Sequence, residues 1–247
     1  GKGHMGTLVS GDVTLARYGI ALVASVVVLG VLGVVLYFSA VRPFFGAGGM
    51  AWVMSTIGFG IIIQNTALAV WGPGSIAMPS PLGDDVIRIA GAGIRPQELL
   101  VIAVTAVVMI ALDFVLRKTK VGKAVRAVAA NQNAAALMGI NVGAMVVLAF
   151  VISSSLAGLA GLLIAPITTA SVFMGLAIAL KAFSSAIVGG LTSPRGCIVG
   201  GFLLGCIESL VGLWRAEMRE ITVFALIILV LVVKPEGLFG QKPFEKV

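Results

Sequence analysis

Histidine is nearly absent from this chain: the single copy, His4, lies in an N-terminal GKGHM segment typical of a cloning tag. A histidine ligand or general base is therefore excluded from the rest of the sequence. The two cysteines, Cys197 and Cys206, are nine positions apart on one predicted helix, about 13 Å along its axis and on opposite faces, too far for a disulfide. The sequence also lacks a GxxxxGK[ST] phosphate loop, an HExxH zinc motif and a GxSxG nucleophile motif.

Charge is scarce as well. Charged residues make up 11% of the chain, whereas soluble domains have about a quarter, and 59% of the residues are hydrophobic with a mean hydropathy of +1.13. These values predict an integral membrane protein. Helices are the expected spanning element, because lipid cannot satisfy backbone polar groups and the alternating pattern of outer-membrane strands is absent. The net charge of +7 lies at span ends rather than in one aromatic-rich patch, so we expect no nucleic-acid partner.

Hydrophobic segments long enough for membrane helices recur along the chain. A bilayer core of about 30 Å needs about 20 helical residues, and the last segment is shorter than that. The loop at 72–95 is rich in proline and glycine and carries Asp84 and Asp85, which indicates an extramembrane connection. The sequence thus predicts an all-α, polytopic transmembrane helix bundle with about seven spans, at residues 18–38, 50–71, 97–116, 144–164, 172–190, 196–213 and 221–233.

A basic, alanine-rich loop at 117–143 separates the third and fourth segments. It begins with five cations in ten residues: Arg117, Lys118, Lys120, Lys123 and Arg126. Placing this loop in the cytoplasm leaves ten basic residues inside and five outside, which favours a cytoplasmic C-terminus. The visible N-terminus then lies outside, and we expect residues upstream of it to have been lost.

The middle of this loop, residues 124–137 (AVRAVAANQNAAAL), has high helix propensity, with Gly122 before it and Gly139 after it as its ends. Two interpretations remain. The helix is either a docking element for a partner outside the membrane or a solvated hairpin anchored by basic residues.

Polar residues also lie inside the predicted spans. In the second span Thr56, Gly60 and Gln64 share one face and Asn65 lies beside it. This polar stripe either lines a path or forms hydrogen bonds to a neighbouring helix.

Lys181 and Glu208 are a sharper pair, since each ionised residue within a span costs about 3 kcal/mol. We expect both to face the protein interior, either as an ion pair joining two helices or as a polar lining or gate. Asp113 is expected to pair with Arg117 one turn later. Glycines at 158, 161, 196, 200, 201 and 205 have the spacing of close helix contacts.

Several of these segments together resemble a known family. They are AVRPFFGAGG from Ala40, STIGFGIIIQN from Ser55, the loop from Thr119, LAGLAGLL from Leu156, KAFSSAIVGGLTSPRGCIVGGFLLG from Lys181 and LVVKPEGLFG from Leu231. The chain resembles the permease subunits of branched-chain amino acid ABC importers, a class that includes ribose-type permeases, over nearly everything past residue 15. It departs at the front, where such permeases have further helices with an Asn- and His-containing motif. We therefore expect residues 1–14 to be tag-like, 15–247 to be one transmembrane permease domain, and N-terminal spans to be missing.

The resemblance implies a multi-pass inner-membrane subunit that is not an enzyme and needs no cofactor. It would act with a second permease subunit, two ATP-binding cassette ATPases and a periplasmic substrate-binding protein, importing branched-chain amino acids or related small solutes by alternating access. The loop helix would be the coupling element that contacts the ATPase, through Gly122, Arg126, Ala130, Asn131, Ala134 and Gly139. The translocation path or buried polar positions would be Thr56, Gln64, Asn65, Lys181 and Glu208.

A different class also remains open. An ion-coupled secondary transporter or channel would use Lys181 and Glu208 to exchange protons or to hold a coupling ion. Transport by such a protein would depend on an ion gradient and would need no ATPase partners. The alanine-rich loop helix is a feature that it would not need.

Overall fold

The structure, a computed structural model, describes residues 15–44, 51–82, 87–89, 92–191 and 193–240. The segment 1–14, the acidic pair Asp84 and Asp85, and the basic tail residues Lys242 and Lys246 lie outside the described residues. The first helix, α1 (Leu15–Leu36), continues into a π-helical segment, Tyr37–Val41, and a 3-10 turn, Arg42–Phe44. The helices are α1 Leu15–Leu36, α2 Ala51–Trp71, α3 Pro96–Lys118, α4 Lys120–Ala130, α5 Gln132–Leu137, α6 Val142–Thr168, α7 Met174–Gly189, α8 Pro194–Trp214 and α9 Met218–Val233.

The predicted all-α class is confirmed, because a helix occupies the place of all seven predicted hydrophobic segments. Among the described residues, five helices are long and apolar enough to cross a membrane, namely α1 with its extension, α2, α3, α6 and α8. The apolar helices α7 and α9 are shorter, with 16 residues each. Pro96 is the first residue of α3, as its fixed φ and missing N–H favour.

The connection between α2 and α3 is more ordered than the sequence indicated. Strand β1, Ile87–Ile89, pairs antiparallel with β2, Ala92–Ile94. Upstream, Ile76 exchanges two backbone hydrogen bonds of 2.8 and 2.9 Å with Ala170. The α2–α3 connection contains several isoleucines, whose β-branched side chains favour short strands. The prolines and glycines around them made this local preference hard to recognise in the sequence.

The chain divides into two compact units, residues 1–172 and 173–247. In the first, α1 packs along α6 through small residues on both helices. A Cβ on Gly33 would lie 2.7 Å from the Ser154 hydroxyl, and the Ser25 hydroxyl donates to the Gly158 carbonyl at 3.1 Å. Glycine and serine thus bring the two backbones close together.

Helix α6 contains an internal proline, Pro166, that has no N–H for the carbonyl of Leu162. Two side chains from other helices donate to carbonyls at this point. The Tyr18 hydroxyl donates to the Leu162 oxygen at 3.1 Å, and Gln97 Nε2 donates to the Leu163 oxygen at 2.9 Å. Tyr18 and Gln97 are both buried, so this cluster joins α1, α3 and α6 around the proline.

In the second unit, α7 and α8 approach closely where Gly189 faces Gly196 and Gly200. The chain after α9 returns to the same place: Leu238 N–H donates to the Val188 carbonyl at 2.9 Å, and Phe239 N–H to the Gly189 carbonyl at 3.0 Å. The glycine prediction is therefore confirmed for 158, 196, 200 and 201, where added Cβ atoms would collide with neighbours. It is wrong for 161 and 205 within the described part of the chain, where no neighbouring atom lies within 4 Å of an added Cβ.

Candidate functional site

The loop between α3 and α6 is built from two helices rather than the single helix predicted over 124–137. Thr119 begins α4 by accepting a hydrogen bond from Gly122 N–H at 3.0 Å. Asn131 has extended backbone angles, φ −158° and ψ 108°, and its Oδ1 accepts from Ala134 N–H at 3.1 Å. The break arises because an asparagine side chain that caps a helix start competes with helix continuation.

The glycines at the two ends of the loop have different positions from those predicted. Gly122 does not precede the helix but lies buried within the first turn of α4, where a Cβ would collide with the carbonyl oxygens of Val115 and Leu116. It allows α4 to fold tightly against the end of α3. Gly139 follows α5 as predicted, with φ +79° and with Ile140 N–H donating to the Ala135 carbonyl at 3.1 Å.

The loop has a buried side and an exposed side. Val128 and Ala135 are buried, whereas the predicted contact positions Arg126, Ala130, Asn131 and Ala134 are exposed. Sequence reasoning missed the most exposed apolar pair of this loop, Leu137 (90%) and Met138 (69%), at the end of α5. The sequence signal that could have indicated this pair is its position just before Gly139, the glycine that ends the helix. The exposed leucine and methionine give this loop an apolar edge in addition to its five basic residues.

The polar residues predicted to form a stripe on the second span lie on α2. Thr56 donates to the Val53 carbonyl at 2.7 Å and Asn65 to the Ile61 carbonyl at 2.8 Å, both within the helix. Among the described residues, neither they nor Gln64 forms a hydrogen bond to another helix, and no residue of α2 is buried. Lining of a path and hydrogen bonding to a neighbouring helix therefore both stay predictions for these residues.

Lys181 and Glu208 form the predicted ion pair across α7 and α8, with Lys181 Nζ 2.5 Å from Glu208 Oε1. The side chains retain 45% and 19% of their accessible surface, so the expected burial in the chain's interior is only partly met. The pair predicted between Asp113 and Arg117 is present at 2.7 Å.

A cleft lies beside this ion pair. It has a volume of about 120 Å³ and is lined by α7 and α9 through Ala177, Leu180, Lys181, Ser184, Val223 and Phe224. Lys181 therefore contacts Glu208 on one side and borders a largely apolar cleft on the other. In the part of the chain that the structure describes, no three His, Cys, Asp or Glu residues come together as metal ligands would.

These features define a polytopic helical membrane protein. Residues 4–231 match the family described as "Branched-chain amino acid transport system / permease component", a match that begins inside the segment expected to be tag-like. The high-affinity branched-chain amino acid transport system permease protein LivH of Escherichia coli K12 is 32% identical over 231 residues, covering 91% of this chain and 75% of the relative. The corresponding protein BraD of Pseudomonas aeruginosa PAO1 is 30% identical over 233 residues, with 92% and 76% covered.

A more distant relative is the probable branched-chain amino acid transport permease protein LivH of Methanocaldococcus jannaschii, 28% identical over 145 residues that cover 56% of this chain and 46% of the relative. No solved structure matches. The chain belongs to the family of branched-chain amino acid transport permease components. It is a multi-pass membrane subunit of an ABC transporter.

Proposed function

We propose that this chain is the translocating subunit of an ATP-driven importer in the bacterial inner membrane, carrying leucine, isoleucine, valine or a related small solute by alternating access. Its partners are a second permease subunit, two ATP-binding cassette ATPases and a periplasmic substrate-binding protein. The observation that best supports this proposal is the loop between α3 and α6, which has two short helices and an exposed apolar edge at Leu137 and Met138. A solvated hairpin does not need such an edge.

The buried side of the loop explains how force would pass to the membrane helices. Gly122 packs α4 against the end of α3, and Val128 and Ala135 fix α4 and α5 in the unit that contains α6. An ATPase that moved the exposed edge would therefore move helices that span the bilayer. The basic residues favour the cytoplasmic side for this loop and for the C-terminus.

Substitutions on the exposed edge test the coupling role. Leu137→Ser, Ala130→Arg and Ala134→Arg are expected to leave membrane insertion intact while lowering ATP hydrolysis stimulated by the loaded binding protein, because each disrupts the contact surface. Ala77→Arg, at an exposed position in the α2–α3 connection, is the control. Stimulation equal to wild type in all three loop variants would remove the docking assignment.

One observation favours the second candidate, an ion-coupled transporter: the close Lys181–Glu208 pair within apolar helices. The two candidates differ in energy source. We expect uptake in membrane vesicles to require ATP and to persist when the proton gradient is dissipated. Uptake that follows the gradient and survives ATP depletion would instead support the ion-coupled transporter.

A further inference from the structure

The described helices of residues 173–240 leave the Lys181–Glu208 pair partly exposed. Lys181 keeps 45% of its side-chain surface exposed although it lies on an apolar helix. A charged group is costly against lipid, and charged residues within membrane helices usually face a water-filled cavity or other protein. This exposed side of the pair therefore fits a passage better than a lipid-facing surface.

The surroundings of the pair combine two chemistries. Lys181 and Glu208 offer one positive and one negative group in contact, while the adjoining cleft is walled by Leu180, Val223 and Phe224. The hydroxyl of Ser184 already donates to the Leu180 carbonyl at 2.7 Å. The charged groups are thus gathered at one edge and apolar surface forms the rest.

We propose that Lys181, Glu208 and the cleft form a transient recognition site for a zwitterionic aliphatic amino acid. The Lys181 ammonium binds the α-carboxylate, the Glu208 carboxylate binds the α-ammonium, and the branched side chain enters the cleft between α7 and α9. This inference rests on the proposed function. It states where on the chain the proposed class of substrate would bind.

Charge balance favours a zwitterion over an anion or a cation. A ligand with one charge would pair with one member of the ion pair and leave the other without a partner, which is costly away from bulk water. An amino acid brings both charges on one carbon and satisfies both members. Its entry needs the two side chains to separate, which the flexible lysine stem allows, and they close on each other again after the solute leaves.

The first test compares the charge pair with its neutral replacement. Lys181→Met and Glu208→Gln are each expected to lower thermal stability and uptake, because each leaves one charge unpaired. The double variant is expected to recover stability in detergent while uptake stays at least about 10-fold below wild type. Recovery of uptake together with stability would overturn the proposal and leave the pair as a structural contact.

The second test addresses the cleft. Ala177→Phe, on an exposed position of the cleft wall, is expected to slow leucine uptake about 10-fold or more and valine uptake less, because the longer side chain needs more of the cleft. Ala179→Phe is the matched control, since it is equally small and exposed but two positions away on another face of α7. Equal leucine uptake by the two variants would overturn the proposal.

Both tests use the complete importer with its partner subunits in proteoliposomes, with ATP hydrolysis stimulated by the binding protein measured in parallel. A wild-type complex without ATP-dependent leucine or valine uptake would refute the proposed function, and with it this site. Normal wild-type uptake with unaffected Ala177→Phe and double variants would refute the site alone.

Discussion

At the scale of single residues, the buried polar cluster around Pro166 shows how a helix-breaking residue is accommodated in a spanning helix. Proline removes the N–H that would bond to the carbonyl four residues earlier, here Leu162. The Tyr18 hydroxyl replaces that donor, and Gln97 supplies another to Leu163. The cluster thus supplies a donor to the carbonyl that the proline leaves without its helical partner, as backbone polar groups shielded from water require.

This account predicts that the cost of losing the Tyr18 hydroxyl depends on the proline. Tyr18→Phe is expected to lower the free energy of unfolding by about 1–3 kcal/mol, because the part-buried Leu162 carbonyl loses its donor within an apolar helix. In a Pro166→Ala background the alanine N–H can donate instead, and the cost should fall below about 0.5 kcal/mol. Reversible unfolding in mild detergent measures both values.

The control is Thr66→Val, whose hydroxyl donates within its own exposed helix turn, to Ile62 at 2.7 Å. It should change the free energy of unfolding by less than about 0.5 kcal/mol. If Tyr18→Phe lowered the free energy of unfolding equally with and without Pro166, the Tyr18 hydroxyl would not be a substitute for the backbone N–H that the proline lacks.

At the scale of elements, hydrophobic runs predicted where helices lie far better than how they pack. Composition and length are local properties, so the seven segments are helical as expected. Glycine spacing alone could not separate Gly158 from Gly161, because it does not say which face meets a neighbour. Similarly, summed helix propensity favoured one helix over 124–137, whereas a single side-chain cap at Asn131 divided it.

The two glycines on α6 give a direct test of the packing. Gly158→Val is expected to destabilise the protein by about 1–3 kcal/mol, because the new side chain would collide with Leu29 and with Ser25. Gly161→Val, three residues away and facing open space, should be neutral within about 0.5 kcal/mol. Thermal unfolding of the two variants in the same detergent compares them, and equal stability would contradict the α1–α6 contact.

The cap at Asn131 gives a second test at this scale. Asn131→Ala removes the acceptor for Ala134 N–H and should weaken the start of α5 by about 1 kcal/mol. Under the proposed coupling role, ATP hydrolysis stimulated by the binding protein should fall while assembly with the ATPase persists. Gln132→Ala, next along the exposed loop, is the control, and equal stimulation in the two variants would argue against a need for the ordered α5.

At the scale of the whole molecule, the sequence was sufficient to predict the class of protein but not the shape of the candidate site. Low charge, long apolar runs and family-like segments predicted the membrane permease that the comparisons support. The contact between Lys181 and Glu208 was also predicted, since unpaired charges in spans are costly. The cleft beside them was not, because it depends on α9 packing near α7, a tertiary contact that leaves no spacing pattern.

The charge distribution makes a prediction about orientation. In a background with Cys197→Ser and Cys206→Ser, a cysteine introduced by Ala130→Cys should resist an impermeant thiol reagent added to intact spheroplasts. One introduced by Ala77→Cys should react, because the α2–α3 connection is expected on the periplasmic side. Both positions are exposed, so a difference reports sidedness rather than burial. Labelling at Ala130→Cys from outside would reverse the orientation.

The return of the chain after α9 also makes position 239 a place to observe movement. Leu238 and Phe239 are bonded to Val188 and Gly189 at the end of α7, so their backbone is tied to the turn between α7 and α8. Phe239 is nevertheless half exposed, which leaves room for a small fluorophore. A dye attached there would follow the turn as a rigid reporter and could resolve the steps of a transport cycle in single complexes.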